Sequence, residues 1–231
     1  MARLARVVLP GVPHHIVQRG VRSMCIFESD PDRRFYLDMV AEHAARYGLQ
    51  VISWCLMSNH VHLIGIPDRE SSLAGAMALS HRAYSSVFNA RHGTKGFLFQ
   101  GRFYSAPMDP PHFYAAVRYI LRNPVRAGMV RDALSWPWSS ACFHAGCRND
   151  DPLVTSRERL DWIHHWEEYL GSDPTEIDSI RACTRTGRPC GGEEFIRMAE
   201  SATGRKLRKE KPGRKPRSRV SPSLDPSDMS P

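Results

Sequence analysis

Residues 49–67 read LQVISWCLMSNHVHLIGIP, two runs rich in Val, Ile, Leu and Trp separated by Ser58-Asn59. Runs of that length and composition suit strands, and the short polar break between them suits a turn. The second run contains His60-Val61-His62. Side chains alternate faces along a strand, so both imidazoles project to one side while Val61 packs on the other. Two imidazoles side by side on a rigid strand are half of a metal site. The competing reading is a pair of histidines on an exposed sheet face.

Working outward, residues 13–20 (PHHIVQRG) form a short strand ending at a glycine. Asp30-Pro31-Asp32 signals a helix start, with Pro early and acidic residues in the first turn. Phe35, Leu37, Met39, Val40, His43, Ala44 and Tyr47 then recur at near-helical spacing until Gly48. Ser71-Ser72 caps a second helix over about residues 73–91, and residues 97–108 alternate as a strand or extended hairpin. Asp109-Pro110-Pro111 opens a third helix, apolar at Phe113, Ala116, Val117, Ile120 and Leu121. The order β-α-β-β-α-β-α predicts an α+β fold, a ferredoxin-like split βαβ sheet with its helices on one face.

The chain has 231 residues, 42% of them hydrophobic, and carries 32 Lys plus Arg against 24 Asp plus Glu, a formal net charge of +8. No run is long and apolar enough to span a membrane, and no signal-peptide pattern opens the chain, so a cytoplasmic protein is expected. The positive balance favours a polyanionic partner. Much of it lies near the end, where Arg205, Lys206, Arg208, Lys209, Lys211, Arg214, Lys215, Arg217 and Arg219 face Glu210 alone. The six cysteines show neither C-x-x-C nor any regular framework, which excludes a disulfide scaffold and reads as reduced thiols. Three segments are expected: a core domain over residues 1–148, a helical extension over 149–203 with helical fragments near 157–170 and 193–200, and a basic, disordered tail over 204–231. Trp162 and Trp166 are expected to dock the extension onto the core.

The third helix supplies what the histidine pair lacks. Tyr119 and Asn123 are four residues apart and share one helix face. In a split βαβ sheet that face can meet a central strand, bringing an amide oxygen and a phenol toward His60 and His62. Ordinary alternatives are a half-buried aromatic for Tyr119 and a helix end for Asn123, which precedes Pro124.

MSNHVHLI over residues 57–64, followed by YILRNPVRAGMV over 119–130, resembles the single-tyrosine HUH transposases, and most nearly the REP-associated tyrosine transposases of bacteria. HHIVQRG, DPDRRFYLD and FLFQGRFYSAPM add to the resemblance, which covers roughly residues 5–145. It implies that His60, His62 and Asn123 bind Mg²⁺ or Mn²⁺, and that Tyr119 is the nucleophile, with Tyr114 as its local competitor. It further implies cleavage and rejoining of hairpin-forming single-stranded DNA through a 5′-phosphotyrosine, in a monomer or homodimer of the bacterial cytoplasm associated with the nucleoid. Imidazole ligands alone would favour zinc, copper or nickel. Arg19, Arg22, Arg102, Arg118, Arg122, Arg126 and the tail residues Arg205, Lys206, Arg208 and Lys209 are candidate DNA contacts. Two rivals stand beside this reading. One is a hairpin-binding regulator of the same fold that does not cleave; the other is a zinc hydrolase, which lacks an evident Glu base.

Overall fold

The computed structural model describes residues 5–208. In chain order the elements are β1 (His14–Arg19), α1 (Asp30–Tyr47), β2 (Leu49–Leu56), β3 (His60–Pro67), α2 (Ser72–Arg91), β4 (Tyr104–Pro107), α3 (Pro110–Leu121), α4 (Asn123–Arg126), α5 (Ala141–His144), α6 (Trp166–Tyr169), α7 (Ile177–Thr186) and α8 (Glu193–Thr203). The strands form one antiparallel sheet in the order β2-β3-β1-β4. That is the split βαβ arrangement, with β3 and β1 at the centre.

Local chemistry explains the main boundaries. The Asp32 carboxylate accepts the backbone N–H groups of Ser29 at 3.0 Å and Glu28 at 2.9 Å, and Gly48 ends α1 in the left-handed region at φ 65°. Asp32 also pairs with Arg91, so the start of α1 is clamped to the end of α2. Gly75 is where the two helices touch, since a Cβ there would overlap the Tyr47 ring. Asp109 caps α3 by accepting His112 N–H at 3.1 Å, with two prolines following where no amide proton is needed.

Both faces of the sheet are covered. Ile16, Trp54, Leu56, Val61 and Leu63 pack with Tyr36, Val40, Met77 and Tyr84 of α1 and α2. On the opposite face Ile52, Ile64 and Ile66 pack with Ala116, Val117, Tyr119 and Ile120 of α3. The expectation of helices on a single face therefore needs correcting: α1 and α2 share one layer, and α3 forms the other. The physical reason is that β3 is apolar in both alternating sets, so each set requires a cover. Burial of each such large apolar side chain contributes about 1.5–3 kcal/mol.

Two further expectations change in detail. Within residues 97–108 only Tyr104–Pro107 is strand, because Gly96 (φ 109°) and Gly101 (φ 61°) turn the chain before it. The region after residue 148 continues the same cores: Leu153 and Val154 join the α1–α2 layer, while Leu160, Ile163, Trp166, Leu170 and Ile180 join the α3 layer. Trp166 is buried there, whereas Trp162 is 50% exposed and meets Tyr114 edge-on. The helical fragments near 157–170 are a 3-10 turn at Glu158–Leu160 and the short α6. Leu207 is buried with Val7, Leu9 and Ala199, so the packed chain runs past residue 203.

Candidate active site

Register brings the first residues together. In the β1–β3 pairing Arg19 lies opposite His60, Val17 opposite His62 and His15 opposite Ile64. Directly opposed residues share a sheet face, so His15, Arg19, His60 and His62 all point toward the α3 layer. His14 projects to the other face, where it is buried and bonded to Val12 and Leu9. From β4, Tyr104 pairs with Val17 and adds to the same side.

α3 and α4 supply the opposite wall. Pro124 has no amide proton, so the helix breaks at Arg122 and resumes as α4, yet Arg126 N still bonds Arg122 O at 3.0 Å and keeps the two nearly continuous. Tyr119 and Asn123 consequently still face one way. The Tyr119 ring stands edge-on to His62 at 5.6 Å and to His15 at 5.8 Å. The Asn123 amide nitrogen lies 3.3 Å from His60 Nε2.

The third wall is α7, which packs against β4, β1 and α3. Arg181 Nε donates to the Tyr119 hydroxyl at 3.4 Å, and Thr184 Oγ1 lies 2.8 Å from His15 Nδ1. Together these walls enclose a cleft of about 490 Å³ lined by His15, Val17, Arg19, His60, His62, Gln100, Tyr104, Tyr119, Asn123, Arg181, Thr184 and Arg185.

The imidazoles are uncharged at neutral pH. Burial, reinforced by Arg19 and Arg126, pushes His60 down to about 4. Burial also holds His62 well below its ordinary range, with His60 and His15 adding to the effect, and it pushes His15 down to about 3. The outer nitrogens of both β3 histidines are already engaged: His60 Nδ1 with Asn59 Oδ1 at 2.6 Å, and His62 Nδ1 with His15 Nε2 at 2.9 Å. A cation would have to be held by their Nε2 atoms, of which that of His60 here faces the Asn123 amide nitrogen at 3.3 Å. Among the described residues no group of three His, Cys, Asp or Glu side chains is placed to hold a metal. The Asn123 amide faces the same pair and could supply a third protein donor; its oxygen here accepts Arg126 at 3.0 Å. Two neutral nitrogens and an amide fit a divalent cation whose remaining positions go to water and phosphate oxygens, and they do not close a structural zinc site.

The other candidate residues are spread more widely. Of the cations named from sequence, Arg19 lines the cleft, and Arg126 lies 4.4 Å over the Tyr119 ring while pairing with Asp173 at 2.9 Å. Arg122 also pairs with Asp173, at 2.8 Å, and Arg118 stacks over Tyr169, so both turn toward the α6 region. Arg22 and Arg102 are exposed outside the cleft lining. Arg205 bonds the carbonyls of Ala5 and Arg6, Arg208 pairs with Glu193 at 2.9 Å, Lys206 is exposed, and Lys209 with the rest of the tail lies outside the described residues. Tyr114 is half-buried against the α3 core, where its carbonyl accepts the Tyr169 hydroxyl at 2.5 Å. Sequence reasoning missed His15, Arg181, Thr184 and Arg185. The last three lie on α7, whose Ile177, Ile180 and Cys183 at helical spacing before Gly187 were the available signal.

Comparison with known proteins bears on the fold that carries this cleft. The family model for IS200-like transposases matches residues 11–123, a span that holds His15, His60, His62, Tyr119 and Asn123 and ends before α7. A solved REP-associated tyrosine transposase bound to a REP hairpin shares the fold with a TM-score of 0.52, at 17% identity over 68% of this chain and 92% of that one. A crystal structure from Deinococcus radiodurans, described as a transposase, is 18% identical over 52% of this chain and 95% of that one, but its TM-score of 0.35 carries no argument. No curated protein matches the chain in sequence. Residues 11–123 are thus similar to the IS200-like transposase family, and α7 and α8 lie outside the matched span.

Proposed function

We propose that this protein is a metal-dependent DNA strand transferase that binds hairpin-forming single-stranded DNA of the REP-palindrome kind. It would cleave and rejoin that DNA through a 5′-phosphotyrosine on Tyr119. The observation that carries the reading is the convergence of Tyr119, His60, His62 and Asn123 in one cleft beside Arg181.

A phenol is a weak nucleophile at neutral pH unless its proton departs or its developing charge is balanced. Arg181 and Arg126 flank the Tyr119 ring and supply that balance. The Tyr119 oxygen attacks phosphorus, the bond to the 3′ oxygen breaks, and the phenolic proton passes to that departing oxygen directly or through water. One phosphodiester is exchanged for another, so a 3′-hydroxyl attacking the phosphotyrosine reverses the step without ATP. Mg²⁺ or Mn²⁺, held by His60, His62 and Asn123, would polarise the scissile phosphate and neutralise its charge. Arg19 and Arg185 line the cleft and suit phosphate oxygens on either side of the scissile group. The REP hairpin belongs to the solved neighbour and makes hairpin DNA the first substrate to try.

The test is a hairpin with a labelled 5′ flank, incubated with Mg²⁺ or Mn²⁺ and denatured before electrophoresis. A covalent protein–DNA adduct is expected, lost in Tyr119→Phe and kept in Tyr114→Phe. Cleavage that survives Tyr119→Phe would sink the nucleophile assignment. Tight hairpin binding with no adduct would favour a regulator that does not cleave.

A further inference from the structure

We propose that Thr184 and His15 are positioning residues that support His62 in the tautomer a metal requires, by taking up its Nδ1 proton through a buried line, which makes α7 part of the metal site. The proposal rests on the reading of His62 as a ligand.

The contacts form one buried line. Thr184 Oγ1 lies 2.8 Å from His15 Nδ1, and His15 Nε2 lies 2.9 Å from His62 Nδ1. The two rings are within 5° of parallel, and Thr184, His15 and His62 are 5%, 1% and 4% exposed. Water therefore cannot substitute freely for any member.

A neutral imidazole has one N–H and one lone pair. Where two ring nitrogens face each other at hydrogen-bond distance, one must donate and the other accept. The line accordingly has two settings. In the first, His62 Nδ1–H donates to His15 Nε2, and His15 Nδ1–H donates to Thr184 Oγ1. His62 Nε2 then presents a lone pair. In the second, every donor is reversed, and His62 Nε2 carries a proton that blocks a cation. A threonine hydroxyl can accept or donate, so it terminates either setting, and a cation at His62 selects the first.

His60 needs no such line. Asn59 donates its amide N–H to Ser23 O at 3.2 Å, which turns Oδ1 toward His60 Nδ1 and leaves the lone pair on His60 Nε2, where it faces the Asn123 amide nitrogen at 3.3 Å. The two ligands are thus set by different devices: His60 by its chain neighbour, and His62 by a helix 169 positions from His15. Partners of this kind typically change metal affinity by about 10–100-fold when removed.

The experiment uses the full chain with Mn²⁺ or Mg²⁺ alone. Thr184→Val keeps the shape and removes the hydroxyl, and Mn²⁺ affinity read by electron paramagnetic resonance is expected to fall about 10-fold. Thr184→Ser restores the hydroxyl and should bind within about 2-fold of wild type, which a purely structural role for the methyl group would not give. Imidazole ¹⁵N NMR of the Mg²⁺-saturated protein should place the proton on Nδ1 of both His15 and His62. Wild-type Mn²⁺ affinity in Thr184→Val, or His15 protonated on Nε2 in the Mg²⁺ form, would overturn the relay. Failure of the wild-type chain to bind either ion would instead remove His62 as a ligand, and the relay with it.

Discussion

Arg181 Nε donates to the phenolic oxygen of Tyr119 across 3.4 Å, from a helix 62 positions farther along the chain. Arg126 sits over the face of the same ring at 4.4 Å. The phenol therefore lies between two guanidinium groups, one beside its own helix and one delivered by α7. Among the described residues Arg181 is the one that bonds the oxygen on which negative charge develops during attack or departure.

Replacing Arg181 with Ala should slow adduct formation by roughly 10²-fold, the scale for removing one preorganised donor to developing charge. Arg181→Lys should recover only part of that rate, since an ammonium on a flexible stem does not reproduce the guanidinium geometry. Hairpin affinity, measured by fluorescence anisotropy, should change far less than the single-turnover rate. Equal reductions in both would make Arg181 a DNA-binding residue and nothing more.

Asn123 sits where the amide can turn toward His60 or toward Arg126, which it contacts at 3.3 Å and 3.0 Å respectively. Asn123→Ala should weaken Mn²⁺ binding by roughly 10-fold, because the proposed site then loses one of its three protein donors. Asn123→Asp should strengthen it, since a carboxylate is a harder and charged donor for such ions. Titration of Mn²⁺ by isothermal calorimetry reads both. An unchanged affinity in Asn123→Ala would leave the site with two histidines only.

The division between what local pattern reveals and what it hides follows from distance along the chain. His60 and His62 were legible because alternation puts them on one face, and Tyr119 and Asn123 because helical spacing does the same. The fold followed from strand and helix punctuation such as Asp30-Pro31 and Gly48. His15 was not singled out, because adjacent histidines on a strand face opposite ways and only the register with β3 decides which one meets the site. Arg181 and Thr184 were hidden for a stronger reason. α7 is short and mostly polar, and its role depends on packing against β1, β4 and α3. No local pattern encodes that docking.

The basic tail is best tested from a cut that the packing tolerates. Leu207 is buried and Arg208 pairs with Glu193 and Glu200, so removal after Gly204 would injure the fold. A chain ending at Arg208 dispenses with Lys209, Lys211, Arg214, Lys215, Arg217 and Arg219 and keeps that packing. Its affinity for single-stranded DNA should fall, and the slope of log affinity against log salt should flatten by about 0.7 for each phosphate that the tail no longer neutralises. An unchanged slope would make the tail a bystander.

Stability should depend on pH through histidines remote from the proposed ligands. Burial lowers His14 to about 4, His81 to about 3 and His144 to about 4, against 6.5 when unfolded. Each is used as a neutral ring: His14 accepts Leu9 N–H at Nε2, His81 meets the Tyr36 hydroxyl, and His144 Nε2–H donates to the Ile52 carbonyl. Below pH 6.5 the unfolded chain binds protons that the folded one refuses, so unfolding gains. The stabilisation is complete above pH 6.5 and is lost as pH falls toward the folded values, at up to about 1.4 kcal/mol per unit for each ring. Tm from calorimetry should hold level between pH 8 and 7 and drop by roughly 5–10 °C per unit between 6.5 and 5. His144→Gln, which retains a donor for Ile52 and cannot titrate, should make that drop shallower. A Tm that stays flat from pH 7 to 5 would mean that these rings find protons, or solvent, in the folded state.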